Sequence, residues 1–197
     1  MSSIIEKGKN ITNAVMVLKE TYKSINLLLD ELDRVSKRSG YMSITPRFLR
    51  KRSDANFNGW LTSDFIKLYQ WEDDPELPHL KSMKDGLIYG VEVDLDSEDY
   101  PTIGLNIYNF DLSNWTTHPS VSDYNLYWDP FRDDVHFNIN TDEKELFYSS
   151  ETKEKYISNY SYLKRSVSKV IPLLSISSSE DIKEKIFEGF KDVHFPN

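Results

Sequence analysis

The sequence predicts an α+β fold with a long N-terminal helix, a central mainly antiparallel sheet of about four to six strands, and two C-terminal helices packed on it. Apolar residues recur at spacings of three and four over the first forty positions, alternate with polar residues between 87 and 110, and return to helical spacing after 151. A length of 197 residues favours one domain over 1–197. Its expected parts are a helix over 1–39, a mainly β region over 41–150 and C-terminal helices over 151–191.

A continuous apolar stripe indicates the N-terminal helix. Its members are four and three residues apart in alternation: Ile4, Gly8, Ile11, Val15, Leu18, Tyr22, Ile25, Leu29 and Leu32. Gly40 after Lys37 and Arg38 predicts the end of the helix, because glycine adopts positive φ and cations suit a helix carboxyl end. The stripe is broader than a two-stranded coiled-coil seam, which favours packing against the protein's own domain. Formation of a homodimer through this helix is the alternative.

Residues 41–80 allow two interpretations. Asn58-Gly59 suits a hairpin turn, which would separate two strands. Three apolar residues also fit one face of a short helix: Leu61, Phe65 and Leu68. The acidic, proline-containing segment 72–78 predicts a surface loop, because proline cannot donate to a sheet ladder.

The clearest strand pattern lies between 87 and 110. Apolar residues at alternate positions predict two strands that pair as an antiparallel hairpin: Leu87, Tyr89, Val91, Val93 and Leu95, then Ile103, Leu105 and Ile107. Aromatic and β-branched residues predict further strands over 124–128, 135–139 and 146–148.

Two helices are expected after Glu151. The first is predicted from residues at three- and four-residue spacing, up to Pro172: Tyr156, Tyr160, Leu163, Val167 and Val170. The second begins at Ser179, whose hydroxyl suits a helix amino end, and extends to Lys191.

The composition indicates a folded acidic protein, with 24 Lys and Arg against 32 Asp and Glu and a net charge of −8. The absence of cysteine excludes disulfide frameworks, thiolate metal ligands and cysteine nucleophiles, and suits a reducing compartment. No apolar stretch predicts a signal peptide or a membrane span, so we expect a cytoplasmic protein without membrane contact. Phosphate-binding G-x-x-x-x-G-K-[ST] and hydrolase G-x-S-x-G motifs are missing.

Basic residues are concentrated in one interval that contains no acidic residue. Its seven members are Arg34, Lys37, Arg38, Arg47, Arg50, Lys51 and Arg52. In an acidic chain this segment could bind phosphate or another polyanion. A solvated surface that pairs with the protein's own carboxylates explains it equally simply.

Two carboxylate patterns are candidate metal ligands. Glu92, Asp94 and Asp96 occupy alternate positions of a predicted strand and would share one face, where they could hold Mg²⁺ with help from another element. Asp134 and His136 form a weaker pair of the same kind. The polar side of an amphipathic hairpin accounts for the first set without a metal.

Three functions follow from these patterns. The preferred one is a non-enzymatic interaction protein, regulatory or inhibitory, that needs no cofactor and binds a protein partner through an acidic, aromatic-rich surface. The alternative is a Mg²⁺-dependent phosphodiesterase, nuclease or nucleotide-acting enzyme that uses the basic 34–52 segment. The third is a nucleic-acid-binding module without catalysis.

Overall fold

The computed structural model describes residues 3–45, 47–51, 59–97, 99–142 and 146–196. Helix α1 spans Ile4–Arg38 and the short helix α2 spans Tyr124–Trp128. The seven strands are β1 Tyr41–Ser43, β2 Asp64–Trp71, β3 Ile88–Asp94, β4 Thr102–Phe110, β5 Phe137–Asp142, β6 Phe147–Thr152 and β7 Leu163–Pro172. A C-terminal helical segment combines α3, Ser179–Asp181, with a π-helical stretch, Ile182–Phe187, and a 3₁₀ turn, Gly189–Asp192.

The predicted α+β class is confirmed, and the described sheet has seven strands where about four to six were expected. The strand order is β1-β2-β3-β4-β7-β6-β5, and every neighbouring pair is antiparallel. The predicted hairpin is strands β3 and β4, in which Val91 faces Leu105 across the pair. The undecided region contains β2, and its Asn58 lies outside the described residues.

The central strands are covered on both faces. The helical face packs on α1 and the C-terminal segment through a core that includes Leu32, Val91 and Phe187. The loop face packs on α2 and on irregular segments between the strands, through Leu68, Tyr108 and Tyr127. Polar side chains on the inner strands must therefore find partners inside the protein.

Helix α1 has two halves with different surroundings. Its buried residues begin at Ile25 and continue with Leu29, Leu32 and Val35, which pack on the sheet. Every side chain from Ile4 to Val17 is exposed, so the predicted packing against the protein's own domain holds only for the second half. Gly40 ends this region with φ of +80°, as expected for a glycine stop. Over the described residues, no helix is long and apolar enough to cross a bilayer.

Two predicted elements are wrong in type. Residues 163–172 form strand β7 and not the first C-terminal helix, because Ser166 and Ser168 are buried on one strand face and disguise the two-residue alternation. Residues 124–128 form helix α2 and not a strand, with Tyr124 and Tyr127 on its buried side. A dense run of aromatic residues suits either structure, and tertiary packing decides between them.

Candidate functional site

The candidate site is built around Glu92, a carboxylate on an inner strand. Side chains alternate along β3, so Val91 and Val93 join the core of the helical face while Glu92 points to the loop face, where it is only 3% exposed. Its register partner on β4 is Gly104. A Cβ added to Gly104 would come within 3.6 Å of the Glu92 Cβ. The absence of a side chain at Gly104 therefore lets β4 pass close to the buried carboxylate.

Arg132 is the counter-ion of Glu92. Its Nη2 lies 2.8 Å from Glu92 Oε1 and 3.6 Å from Asp94 Oδ2, and its guanidinium lies 4.7 Å from the Trp128 ring centre. Burial raises the pKa of the Glu92 carboxyl above its usual range, although the Arg132 charge and the Asn106 amide act against this. Glu92 thus depends on Arg132 to keep its charge inside the protein.

Asn106 connects Glu92 to the core of the loop face. Its Nδ2 donates to Glu92 Oε2 and to Tyr108 Oη, each at 3.0 Å, and Tyr108 Oη donates to the Tyr127 carbonyl at 2.6 Å. Asn106 is fully buried, and its Oδ1 has no hydrogen-bond partner among the described residues. This oxygen would lie 3.1 Å from a Cβ at Gly104. A buried acceptor without a donor among the described residues therefore lies close to Gly104.

Glu92, Gly104 and Arg132 border a cavity of about 450 Å³, hereafter the acidic cavity. Its charged lining comprises four carboxylates and one guanidinium: Glu92, Asp94, Asp96, Asp99 and Arg132. Neutral residues complete the wall: Ser97, Tyr100, Thr102, Gly104, Phe131, Leu146, Tyr148, Ser168 and Val170. Burial also raises the pKa of the Asp94 carboxyl. The described lining carries more negative than positive charge. The volume of the cavity lies within the range of known ligand sites.

The first set of candidate metal ligands lies together in this cavity. Glu92, Asp94 and Asp96 all line it, although β3 ends at Asp94 and Asp96 lies just beyond the strand. The Arg132 guanidinium lies against two of these carboxylates, Glu92 and Asp94. Across the described ranges, no group of three histidine, aspartate or glutamate side chains is arranged to hold a metal ion.

The second candidate pair is separated from the cavity and does not act as a pair. Asp134 precedes β5, and its backbone carbonyl accepts a hydrogen bond from Lys153 Nζ at 2.7 Å. His136 Nδ1 instead contacts the Asp133 carboxylate and lies 3.1 Å from Tyr160 Oη. Tyr160 Oη also donates to Asp129 at 2.9 Å, so these side chains satisfy one another.

The basic residues of the 34–52 segment are dispersed. Arg34 forms an ion pair with Glu31, and the positive charge of Arg38 also acts on this carboxylate. Lys37 lines a separate recess. The remaining described members have three different neighbours: Arg47 lies 6.0 Å from the Phe48 ring centre, Arg50 donates to Thr62 at 3.2 Å, and Lys51 lies 5.5 Å from the Trp128 ring centre. Arg52 lies outside the described residues. None of the six described members lines the acidic cavity.

No protein-family model matches the chain, and no curated protein or solved structure shows a significant similarity to it.

Two residues of the site were missed by sequence reasoning. Arg132 is a single cation within the acidic stretch 129–134, and Asn106 is an amide in the middle of an apolar strand. A polar residue at the centre of such a strand indicates a buried hydrogen-bond network, and this signal could have identified Asn106. The position of Arg132 depends on how α2 crosses the sheet, which sequence spacing does not reveal.

Proposed function

We propose that this protein is a non-enzymatic interaction protein that binds a basic protein partner, with a lysine or arginine side chain of the partner entering the acidic cavity. The observation that supports this is the surplus of carboxylates around one cavity, four against the single Arg132 guanidinium. Carboxylate oxygens accept hydrogen bonds, and an ammonium or guanidinium group supplies only donors. The ligand that satisfies such a lining is a cation.

The walls of the cavity also suit a long basic side chain. Phe131, Tyr148 and Val170 provide apolar surface, against which the methylene stem of lysine or arginine can pack. Tyr100 lines the cavity and is 45% exposed at its rim, and tyrosine is common at the centre of protein interfaces. A net charge of −8 would also attract a basic partner over longer distances.

The proposal is tested with a pair of short peptides that differ in one residue. One carries a single arginine among uncharged residues, and the other carries citrulline, which has nearly the same shape without the charge. Titration of the arginine peptide into the isotope-labelled protein is expected to shift the amide resonances of Gly104 and Ser168 in the cavity wall. The citrulline peptide is expected to shift them at least ten-fold less at the same concentration.

Matched variants separate the cavity from the overall charge. Asp94→Asn with Asp96→Asn removes two carboxylates of the cavity and is expected to weaken binding of the arginine peptide at least ten-fold. Asp73→Asn with Asp192→Asn changes the net charge equally at two exposed positions outside the cavity and is expected to retain binding. Equal loss in both variants, or no response of the cavity resonances to either peptide, would refute the proposal.

The metal-dependent enzyme is the second candidate, because Glu92, Asp94 and Asp96 line the same cavity, although the described side chains are not arranged to hold a metal ion. An ion bound only to the native state raises the melting temperature, so this candidate requires stabilisation by Mg²⁺ or Mn²⁺ that Asp94→Asn removes. The guanidinium 2.8 Å from Glu92 already neutralises this carboxylate, which favours the first proposal. Stabilisation by the ion, together with cleavage of a phosphodiester, would reverse this order.

A further inference from the structure

The first half of α1 presents an apolar stripe that nothing in the described protein covers. Its exposed members include Ile4 at 89%, Ile11 at 68% and Val15 at 46%, and the adjoining Ile5 is 73% exposed. The stripe is continuous with the residues that pack on the sheet from Ile25 onward. Residues 4–22, hereafter the projecting segment, thus extend the seam of α1 beyond the body of the protein by roughly 27 Å at 1.5 Å per residue.

A second apolar patch lies where the projecting segment meets the body. Tyr22 Oη hydrogen-bonds both the backbone carbonyl and the backbone amide of Thr62, at 3.0 and 3.1 Å. This contact brings the preceding residues to the same end of the stripe, where Trp60 is 74% and Leu61 is 49% exposed. The apolar stripe therefore ends against a second exposed apolar surface.

We propose that the projecting segments of two copies of this chain pair as an antiparallel two-helix coiled coil, independently of the acidic cavity. In this pairing Gly8 of one copy lies opposite Leu18 of the other, Ile11 opposite Val15, and Ile4 opposite Tyr22. The first of these pairs matches a large side chain with a glycine that has no neighbour within 4 Å of an added Cβ. The amino end of each helix then reaches the Trp60 and Leu61 surface of the other copy.

The position of the body excludes the parallel arrangement. From Ile25 onward the body of the protein occupies the seam side of α1. Two parallel helices with facing seams would place both bodies in the same space, whereas antiparallel helices place them at opposite ends. A parallel pair would also set Gly8 against Gly8 and leave a gap in the contact.

The charges of the segment are compatible with the antiparallel pair. Lys7 and Lys19 lie beside the seam on opposite flanks, so in an antiparallel pair they do not face each other. Glu6 and Glu20 lie on the outer side of the helix, away from the contact. A buried aromatic side chain covers about 150–250 Å². Two Trp60 rings, with the exposed aliphatic side chains of both stripes, bring the contact to the roughly 1,000 Å² that a specific interface requires.

Sedimentation equilibrium of the 197-residue chain tests this pairing. The expected mass is twice the 23.1 kDa protomer mass at micromolar concentrations. Ile11→Asp with Val15→Asp places charges on the seam and is expected to weaken dimerisation at least ten-fold. Met16→Asp with Val17→Asp introduces the same charges at neighbouring positions that are 60% and 67% exposed but lie off the seam, and should retain the dimer. Circular dichroism checks that both variants keep their helices.

Cross-linking tests the direction of the helices, since the chain contains no cysteine of its own. Mixing the single variants Gly8→Cys and Leu18→Cys and oxidising them is expected to give a disulfide between the two different variants. Predominant Gly8→Cys homodimers would contradict the antiparallel direction. A monomer at every concentration would refute the dimer. Recruitment of the monomer to phosphatidylserine vesicles would assign the stripe to a membrane surface instead.

Discussion

Replacing Arg132 with methionine is expected to lower the free energy of unfolding by about 3 kcal/mol at pH 7, because it leaves the buried Glu92 carboxylate without its counter-ion. Methionine keeps the aliphatic part of the side chain but loses the guanidinium that lies over the Trp128 ring, which contributes about 1 kcal/mol of this loss. The Arg132 side chain is 29% exposed, which places the effect near the lower end of the range for buried ion pairs. Chemical denaturation measures the change.

The stability lost in Arg132→Met is expected to increase with pH. Burial raises the pKa of Glu92 in the folded state, and removal of Arg132 raises it further. The folded protein therefore holds the proton more tightly than the unfolded chain, and stability falls as pH rises through the window above the ordinary glutamate pKa of about 4.3. The deficit of Arg132→Met should be largest at neutral pH and shrink as pH falls toward that value.

Two comparisons identify the cause of this loss. Combining Arg132→Met with Glu92→Gln removes both charges and is expected to restore most of the lost stability. Arg34→Met breaks the Arg34–Glu31 pair, which lies at the surface, and should have a clearly smaller effect. A loss that is the same at pH 5 and pH 7, and that Glu92→Gln does not rescue, would mean that Arg132 acts only through packing.

Replacing Asp33 with alanine is expected to destabilise the protein by a comparable amount, about 3 kcal/mol. Asp33 lies on α1 and pairs with Lys67 on β2, whose side chain is only 2% exposed on the helical face. The same carboxylate accepts a hydrogen bond from Tyr69 Oη at 3.1 Å. Its removal leaves a buried ammonium without a counter-ion between the helix and the sheet. Thermal and chemical unfolding of the 197-residue chain measure the effect.

The reciprocal variant is the control for Asp33→Ala. Lys67→Met removes the buried charge and keeps most of the side-chain volume, while Asp33 remains 38% exposed and can bind water. We therefore expect Lys67→Met to cost less than half as much as Asp33→Ala. If Lys67→Met is the more damaging change, the pair stabilises the protein by direct attraction and the argument from burial fails.

The elements predicted correctly from sequence are those with a single, uninterrupted pattern. Helix α1 keeps its three- and four-residue spacing over its whole length, and β3 and β4 keep their alternation. Strand β7 does not, because Ser166 and Ser168 are buried and Ser166 hydrogen-bonds Ser150 across the sheet at 2.7 Å. Hydroxyl groups that satisfy each other inside the protein look like exposed residues in the sequence, so only the fold reveals this strand.

The candidate site was predictable to the extent that it lies on one strand. Glu92 and Asp94 come together because β3 is regular, Asp96 follows directly after it, and Gly104 lies opposite on the predicted partner strand β4. Arg132 reaches them from the segment after α2, whose packing is not encoded in local spacing. The sequence likewise shows the 34–52 charges as one group, although their side chains turn to different neighbours. Charge clusters in sequence therefore predicted less about this protein than strand alternation did.

The strand order has a consequence for how the chain folds. Five of the six neighbouring strand pairs join strands that follow each other in sequence, and only β4 and β7 are distant. Strands β1–β4 and β5–β7 can thus each form as a local meander, but joining them closes a loop of roughly 50 residues at an entropic cost. We expect this joining step to limit the folding rate, so that Val167→Ala, which weakens the β4–β7 contact, slows refolding more than it accelerates unfolding in stopped-flow measurements.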